Sequence, residues 1–352
     1  MTAKNKSGEM TMQRRRFAQI ALASLAMPAL IGRTARAADN ATVRFGFLYP
    51  NLTTFIHGVA QNIGAYEKHG VTVVEQKFTS GQTIEGVTQL WQGELDLYFG
   101  GGPEVVSLNS RAMDAGKKMP LAVVSGANAG HTSFVLSNKI VATKFEDLIG
   151  KPLRIAVSSP SSDHLALFHG WLHVDRKMTD EQLGWQFLPL EGADMPTALL
   201  TNQIDGFLHS EPTTTIALST KAGRLFMSAR NGDFGEGPPP MTFLMGNRDF
   251  LAAKPDAARR FMAAMADANA VFTAASKEQM IPLLSKWSGT KPDLLQLAYP
   301  RINPQVSMTH AQAVKWWAYV GQAMIANGQA NAKLDPFRDV FDLQYQAGGI
   351  GL

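Results

Sequence analysis

The feature that most constrains this chain is the alternation of short apolar runs with amphipathic stretches along residues 43–124. Val43-Arg44-Phe45-Gly46-Phe47 predicts a strand. Asn51 to Lys68 predicts a helix, because Ile56, Val59, Ile63 and Tyr66 share a face and Gly70 suits its end. Val71 to Phe78 is β-branched and alternating, hence a second strand. Thr83 to Gln92 predicts a short helix stopped by Gly93, and Leu95 to Phe99 a third strand. Pro103 sits where a helix can begin, and Leu121 to Val124 is a fourth strand. Strand and helix in strict alternation imply a mainly parallel sheet with helices on its faces.

The alternation resumes after residue 130. Strands are predicted at 134–136, 153–157, 186–190 and 205–208, with helices at 145–149, 165–174, 195–200 and 213–222. Past Phe243-Leu244-Met245 the chain becomes helical, over 256–275, 278–287 and 310–326. The fold class is therefore α/β with two units of similar size. The Gly- and Pro-rich loop from Gly232 to Pro240 reads as a connector between them.

The 352 residues contain no cysteine, which excludes disulfides, thiolate metal sites and a cysteine nucleophile. A zinc site built from histidines and carboxylates stays open, but the eight histidines show no HExxH or other tight ligand spacing, so none is expected. The formal charge of +4 misleads. Residues 1–37 hold seven basic side chains against Glu9 alone, leaving −2 on residues 38–352, so charge makes no case for nucleic acid. Those first residues read as an export signal. Arg14-Arg15-Arg16-Phe17 precedes an Ala/Leu-rich stretch, and Ala35-Arg36-Ala37 supplies a cleavage pattern. The Arg-Arg-x-Phe core resembles a twin-arginine signal, with Gln13 and Ala18-Gln19 as departures.

Ligands of open parallel sheets sit beyond the carboxyl ends of the strands. The segments there are small, hydroxylic or amide-bearing: Tyr49 to Thr54, Thr79-Ser80-Gly81-Gln82-Thr83, Gly100 to Pro103, and Ser125 to Asn128. In the second unit they are Ser158 to Ser162 and His209-Ser210-Glu211-Pro212. Each alone is ordinary helix capping; six of them converging on one cleft would cradle an anionic head group. Gly100-Gly101-Gly102 is not a phosphate loop, since no Gly-Lys-Ser/Thr follows. Ser162, Asp163 and His164 are consecutive at a helix start, so their side chains are expected to diverge rather than form a triad. Asp163 reads as a first-turn acid complementing the helix dipole. His57 is either core or cleft, and Glu211 either binds a ligand amine or caps the helix that Pro212 starts. Trp316-Trp317 and Met262/Met265 read as core.

Several segments, in order, resemble one family. They are Ala65-Tyr66-Glu67-Lys68-His69-Gly70-Val71, Gln92-Gly93-Glu94-Leu95-Asp96, Glu146-Asp147-Leu148-Ile149-Gly150-Lys151, Gln203-Ile204-Asp205-Gly206, Glu211-Pro212 and Phe250 to Pro255. Over roughly residues 42–290 the chain resembles the periplasmic solute-binding proteins of ABC importers, in the group for nitrate, taurine, aliphatic sulfonates and thiamine precursors. The resemblance implies a type II binding-protein fold with the ligand closed between two lobes. Lobe one would be 41–125 plus 240–352, lobe two 130–228, with crossovers near 126–130 and 229–240. It implies ligand-binding positions at Tyr49, Asn51, Thr53, Ser80, Gly81, Gln82, Gly101, Gly102, Ser125, Ser158, Ser159, Ser161, Ser162, His209, Ser210 and Glu211. These loops lack an arginine, and Tyr49 and His209 are aromatic. That disfavours nitrate and favours an organic anion such as a sulfonate or carboxylate, aromatic ones included. The expected partners are this ligand and an inner-membrane permease, for a periplasmic monomer without cofactor or catalytic residues. An enzyme related to thiamine-pyrimidine synthesis is disfavoured by the missing cysteines. An exported sensor module remains an alternative.

Overall fold

The structure, a computed structural model, describes residues 40–235 and 240–347; the export-signal reading and part of the 232–240 connector lie outside them. Ten strands are found among the described residues: β1 (Ala41–Leu48), β2 (Val71–Phe78), β3 (Leu97–Gly101), β4 (Leu121–Ala129), β5 (Ser133–Ser137), β6 (Arg154–Val157), β7 (Gln186–Pro189), β8 (Gly206–His209), β9 (Gly223–Ser228) and β10 (Pro240–Asn247). They form two five-stranded sheets, ordered β2-β1-β3-β10-β4 and β7-β6-β8-β5-β9.

The second sheet repeats the order of the first. β1 runs parallel to β2 and β3, as β6 does to β7 and β8. β10 is antiparallel to β3 and β4, as β5 is to β8 and β9. The expected continuous parallel run is thus interrupted, because the chain leaves β4 for the second sheet and returns as β10 between β3 and β4. β9 was not expected at all. Its Arg224, Leu225 and Phe226 are only half-buried at a sheet edge, so it lacks clean alternation.

The first helix is shorter than its apolar period suggests. It runs Ile56–Asn62 and resumes as Ala65–Lys68 beyond Gly64, whose φ of 68° breaks it. Residues 51–55 stay out of the helix because their side chains bond the local backbone. Thr53 N–H donates to Asn51 Oδ1 at 2.8 Å, and Thr54 Oγ1 donates to the Leu48 carbonyl at 2.6 Å. The helices Thr83–Gln92 and Met195–Leu200 form where the sequence pattern predicts them. His57 lies fully buried, between Tyr66 Oη at 2.6 Å and Glu75 Oε1 at 3.2 Å, so it is core and not cleft.

One ion-pair design recurs in both sheets. Asp96, before β3, accepts from the Arg44 N–H at 2.8 Å and from its guanidinium at 2.5 Å. Asp205, before β8, accepts from the Arg154 N–H at 2.9 Å and its guanidinium at 3.0 Å. Each carboxylate locks the start of the central parallel strand to its neighbour. Asp96 is buried and Asp205 is not. Asp96→Ala is therefore expected to cost about 1–2 kcal/mol, by stranding the part-buried Arg44 backbone N–H and guanidinium. Asp205→Ala is expected to cost about 1 kcal/mol. Urea midpoints of the two variants check the order.

Candidate functional site

The carboxyl ends of the parallel strands of both sheets face one enclosed cavity of about 20 Å3. The first sheet contributes Leu48, Asn51, Thr53, Ser80, Thr83, Gly100, Gly101 and Glu104, and β10 adds Thr242. The second sheet contributes Ser158, Ser162, Asp163, His164 and His209. His131 comes from the short link between β4 and β5, where Gly130, at φ 67°, turns the chain in a left-handed step. The volume suits about one water molecule. A wider, mostly apolar mouth of about 480 Å3 opens beside it past Tyr49, Glu191, His209 and Pro212.

The interior is dominated by imidazoles and carboxylates. His131 Nε2 lies 3.1 Å from Asp163 Oδ2, and His164 Nε2 lies 3.6 Å from Asp163 Oδ1. His164 Nδ1 is 3.0 Å from Thr132 Oγ1. The His164 ring stands 5.1 Å from both the His131 and the His209 ring. Burial, against the pull of Asp163, pushes the His164 imidazole down to about 3, and burial also lowers His209. Burial opposes ionisation of Asp163 as well, but His164, His131 and His209 together hold its carboxyl well below the ordinary range. Glu104 is the opposite case: burial and the Asp163 charge push its carboxyl well above that range. Its Oε2 and the His131 Nδ1 are buried without a hydrogen-bond partner. Among the described residues, no lysine or arginine lines the cavity. One donor from each of His131, Asp163 and His164 lies within 4.8 Å of the other two, a cluster that can hold a metal ion.

Of the positions expected from sequence, Asn51, Thr53, Ser80, Gly101, Ser158, Ser162 and His209 line the cavity. Tyr49 and Glu211 face the mouth. The rest fall elsewhere. Gly102 has no room for a ligand: a Cβ there would stand 2.4 Å from Trp316 and 2.8 Å from Phe243. Gln82 caps its own turn, accepting from the Thr79 N–H at 2.9 Å. Ser125 and Ser210 are buried off the cavity with unpartnered hydroxyls. Ser159 and Ser161 lie 3.4 Å apart and also miss the cavity, and Ser161 borders a separate groove with Pro160. Glu211 is committed on both oxygens, to Arg301 Nε at 2.5 Å and the Thr215 N–H at 3.1 Å, so it caps the helix start rather than facing a ligand amine.

Two expectations change character. The turn at Ser80-Gly81 does cradle an anion, but the anion is the chain's own Glu191 from the second sheet. Gly81 N–H donates to Glu191 Oε2 at 2.7 Å, and the Ser80 hydroxyl donates to Oε1. Asp163 and His164 also do not diverge. Asp163 folds back over the helix start, accepts from the His164 N–H at 2.9 Å, and brings both side chains into the cavity. Sequence reasoning missed His131, Glu104 and Glu191. The signals present were a lone carboxylate after Gly100-Gly101-Gly102-Pro103, and Gly130-His131-Thr132 between two apolar runs.

Two α/β sheets of repeated order, enclosing a polar cavity at their strand ends, define the fold of the periplasmic binding proteins. The chain belongs to the NMT1-like family, which matches residues 36–285. It is similar to a binding protein of Brucella abortus, 24% identical over 335 residues that cover 92% of this chain and 96% of that one. Its fold is similar to that of the alkanesulfonate-binding protein SsuA from Xanthomonas axonopodis pv. citri bound to MOPS, with a TM-score of 0.69 and 16% identity over 86% of this chain and 99% of that one. It is similar again to the periplasmic nitrate-binding protein NrtA from Synechocystis PCC 6803, with a TM-score of 0.66 and 17% identity over 84% of each.

The buried histidines make a pH prediction. Burial lowers His57 and His209 from 6.5, His164 to about 3 and His169 to about 4. Each takes up a proton near its ordinary value once unfolded but not while folded. The unfolded state therefore binds more protons below that pH, and folding stability is lost as pH falls. For His164 and His169 the expected slope is about 1.4 kcal/mol per pH unit each between about pH 6 and 4.5, and His57 and His209 add to it in the same direction. Urea midpoints should be level above pH 7 and drop below it. A midpoint indifferent to pH across this range contradicts the burial of neutral imidazoles.

Proposed function

We propose that the chain is an extracytoplasmic solute-binding protein of an ABC importer, which captures a small solute between two lobes and hands it to an inner-membrane permease. The observation that carries this reading is the cavity walled by the strand ends of both sheets. The relatives' description as binding proteins supports it, as does the periplasmic location named for the structural neighbours. In this reading the lobes follow the two sheets, the chain acts as a periplasmic monomer, and residues 1–37 direct export by the twin-arginine route. The hinge is the pair of connections that leave β4 and enter β10, two strands hydrogen-bonded side by side.

For the solute's charge we infer something other than the anion expected from sequence. Two carboxylates and three imidazoles line the cavity without a lysine or arginine among the described residues, and Glu191 already fills the anion cradle at Ser80-Gly81. A sulfonate or carboxylate head group meets the wrong field there. Glu191 acts instead as a latch across the cleft, holding the second sheet's loop on the first sheet's turn.

X-ray scattering tests the reading. Glu191→Ala is expected to enlarge the radius of gyration without solute, and a cognate solute is expected to restore it. A screen of amines, sulfonates, carboxylates, nitrate and thiamine-type pyrimidines by thermal shift finds that solute. A ligand binding only the folded state adds about 2.7 kcal/mol at a hundredfold over its Kd. Identical scattering from both proteins under every condition contradicts a closing cleft.

A further inference from the structure

We propose that the cavity binds a divalent transition-metal cation of the zinc class through His131 Nε2, His164 Nε2 and the Asp163 carboxylate. The inference rests on the solute-binding reading, since it names the chemistry of that same site.

The geometry suits such an ion. Ligand atoms at 2.0–2.1 Å from a tetrahedral zinc lie about 3.4 Å from one another. The Asp163 oxygens stand 3.1 Å from His131 Nε2 and 3.6 Å from His164 Nε2. The His164 ring is oriented as a ligand would be: its Nδ1 stands 3.0 Å from Thr132 Oγ1, and with the proton on Nδ1 the Nε2 lone pair faces Asp163. Two imidazoles and one carboxylate make a nitrogen-rich donor set. Zinc, cobalt and nickel favour such a set, whereas calcium and magnesium require mainly oxygen.

Charge and space argue independently. Glu104 is 4% exposed, lines the cavity beside Asp163, and has an unpartnered Oε2. A Cβ placed on Gly101 would stand 2.7 Å from that oxygen and 3.3 Å from the Asp163 Cβ, so the two acids flank one spot. The buried Asp163 carboxylate faces imidazoles and no basic side chain among the described residues, so its charge has no fixed cation opposite it, and a divalent cation neutralises it. The cavity's 20 Å3 is room for one water, which is what a three-ligand site needs at its fourth position. Glu104 lines the same cavity, and its Oε2 has no partner. The cation also ties the first sheet's Glu104 to the second sheet's Asp163, with His131 on the link between them.

The test uses the purified chain, stripped with a chelator and titrated with zinc chloride by calorimetry, and with cobalt(II) by visible absorption. The expected result is one ion per chain, with cobalt bands intensified by tetrahedral nitrogen and oxygen donors. Asp163→Asn and His131→Gln should each weaken zinc binding by at least about 100-fold, and Thr132→Val by about 10-fold. Thr132→Val keeps the ligands intact and serves if either other variant fails to fold. His173→Gln is the control, because His169, His173 and Asp180 form a separate half-exposed group on one side of the second sheet. A parallel titration with zinc citrate separates a bare ion from a chelate; either one, lost with Asp163→Asn, supports the site. Absence of binding to both forms overturns it, as does binding that survives Asp163→Asn and His131→Gln or is abolished by His173→Gln. Compaction on an organic solute without metal would leave the binding-protein reading intact while this inference fails.

Discussion

The architecture depends on one crossing. The chain builds four strands of the first sheet, leaves from β4, completes the second sheet, and returns as β10 directly beside the strand it left. That return makes β10 antiparallel in an otherwise parallel sheet, and it sets the start of β10 beside the end of β4, Pro240 opposite Ala129. The carboxyl ends of the parallel strands then face each other across a gap. A parallel strand needs a crossover to its neighbour, so each of these ends opens into a turn and a helix start. The cavity is where those turns meet.

What fills the gap follows from burial. The turns supply hydroxyls and backbone N–H groups, which alone would suit an anion. The structure assigns that role to Glu191, whose carboxylate joins the turn at Ser80-Gly81 from the opposite sheet. Deeper in, Asp163, Glu104 and three imidazoles are shut away together. Buried charge must find its complement nearby, and among the described residues that line the cavity there is no fixed cation. The chemistry of the site is thus shaped less by capping groups than by five titratable side chains drawn from distant parts of the sequence.

Much of the fold was legible because its signals are local. The β-branched run of β2, the Gly93 stop and the apolar face of Thr83–Gln92 each depend on neighbours in sequence. β9 was not legible, since a half-buried edge strand carries little alternation. The site was legible where it follows a strand, as at Asn51, Thr53, Ser80, Gly101, Ser158, Ser162 and His209. It was not legible where packing decides: Ser159, Ser161 and Gly102 lie off the cavity. Asp163 and His164 converge through a side chain folding back on its own helix, which ideal helical angles do not anticipate. His131, Glu104 and Glu191 each lie alone in sequence, and only the crossing of the two sheets brings them together.

The central claim is that one small ligand occupies the cavity between the sheets. Native mass spectrometry of the chain, purified without chelator or incubated with a cell extract, tests it directly when paired with Gly101→Val. Gly101 has φ −81° and ψ 146°, which valine accepts, and the added side chain would enter the space between Glu104 and Asp163. The account predicts a single small mass held by the wild type, lost on denaturation, and absent from Gly101→Val, which still folds although crowding against Glu104 lowers its unfolding midpoint. An equal mass excess on both chains would place the ligand elsewhere, and bare wild-type chain after extract would contradict the claim outright.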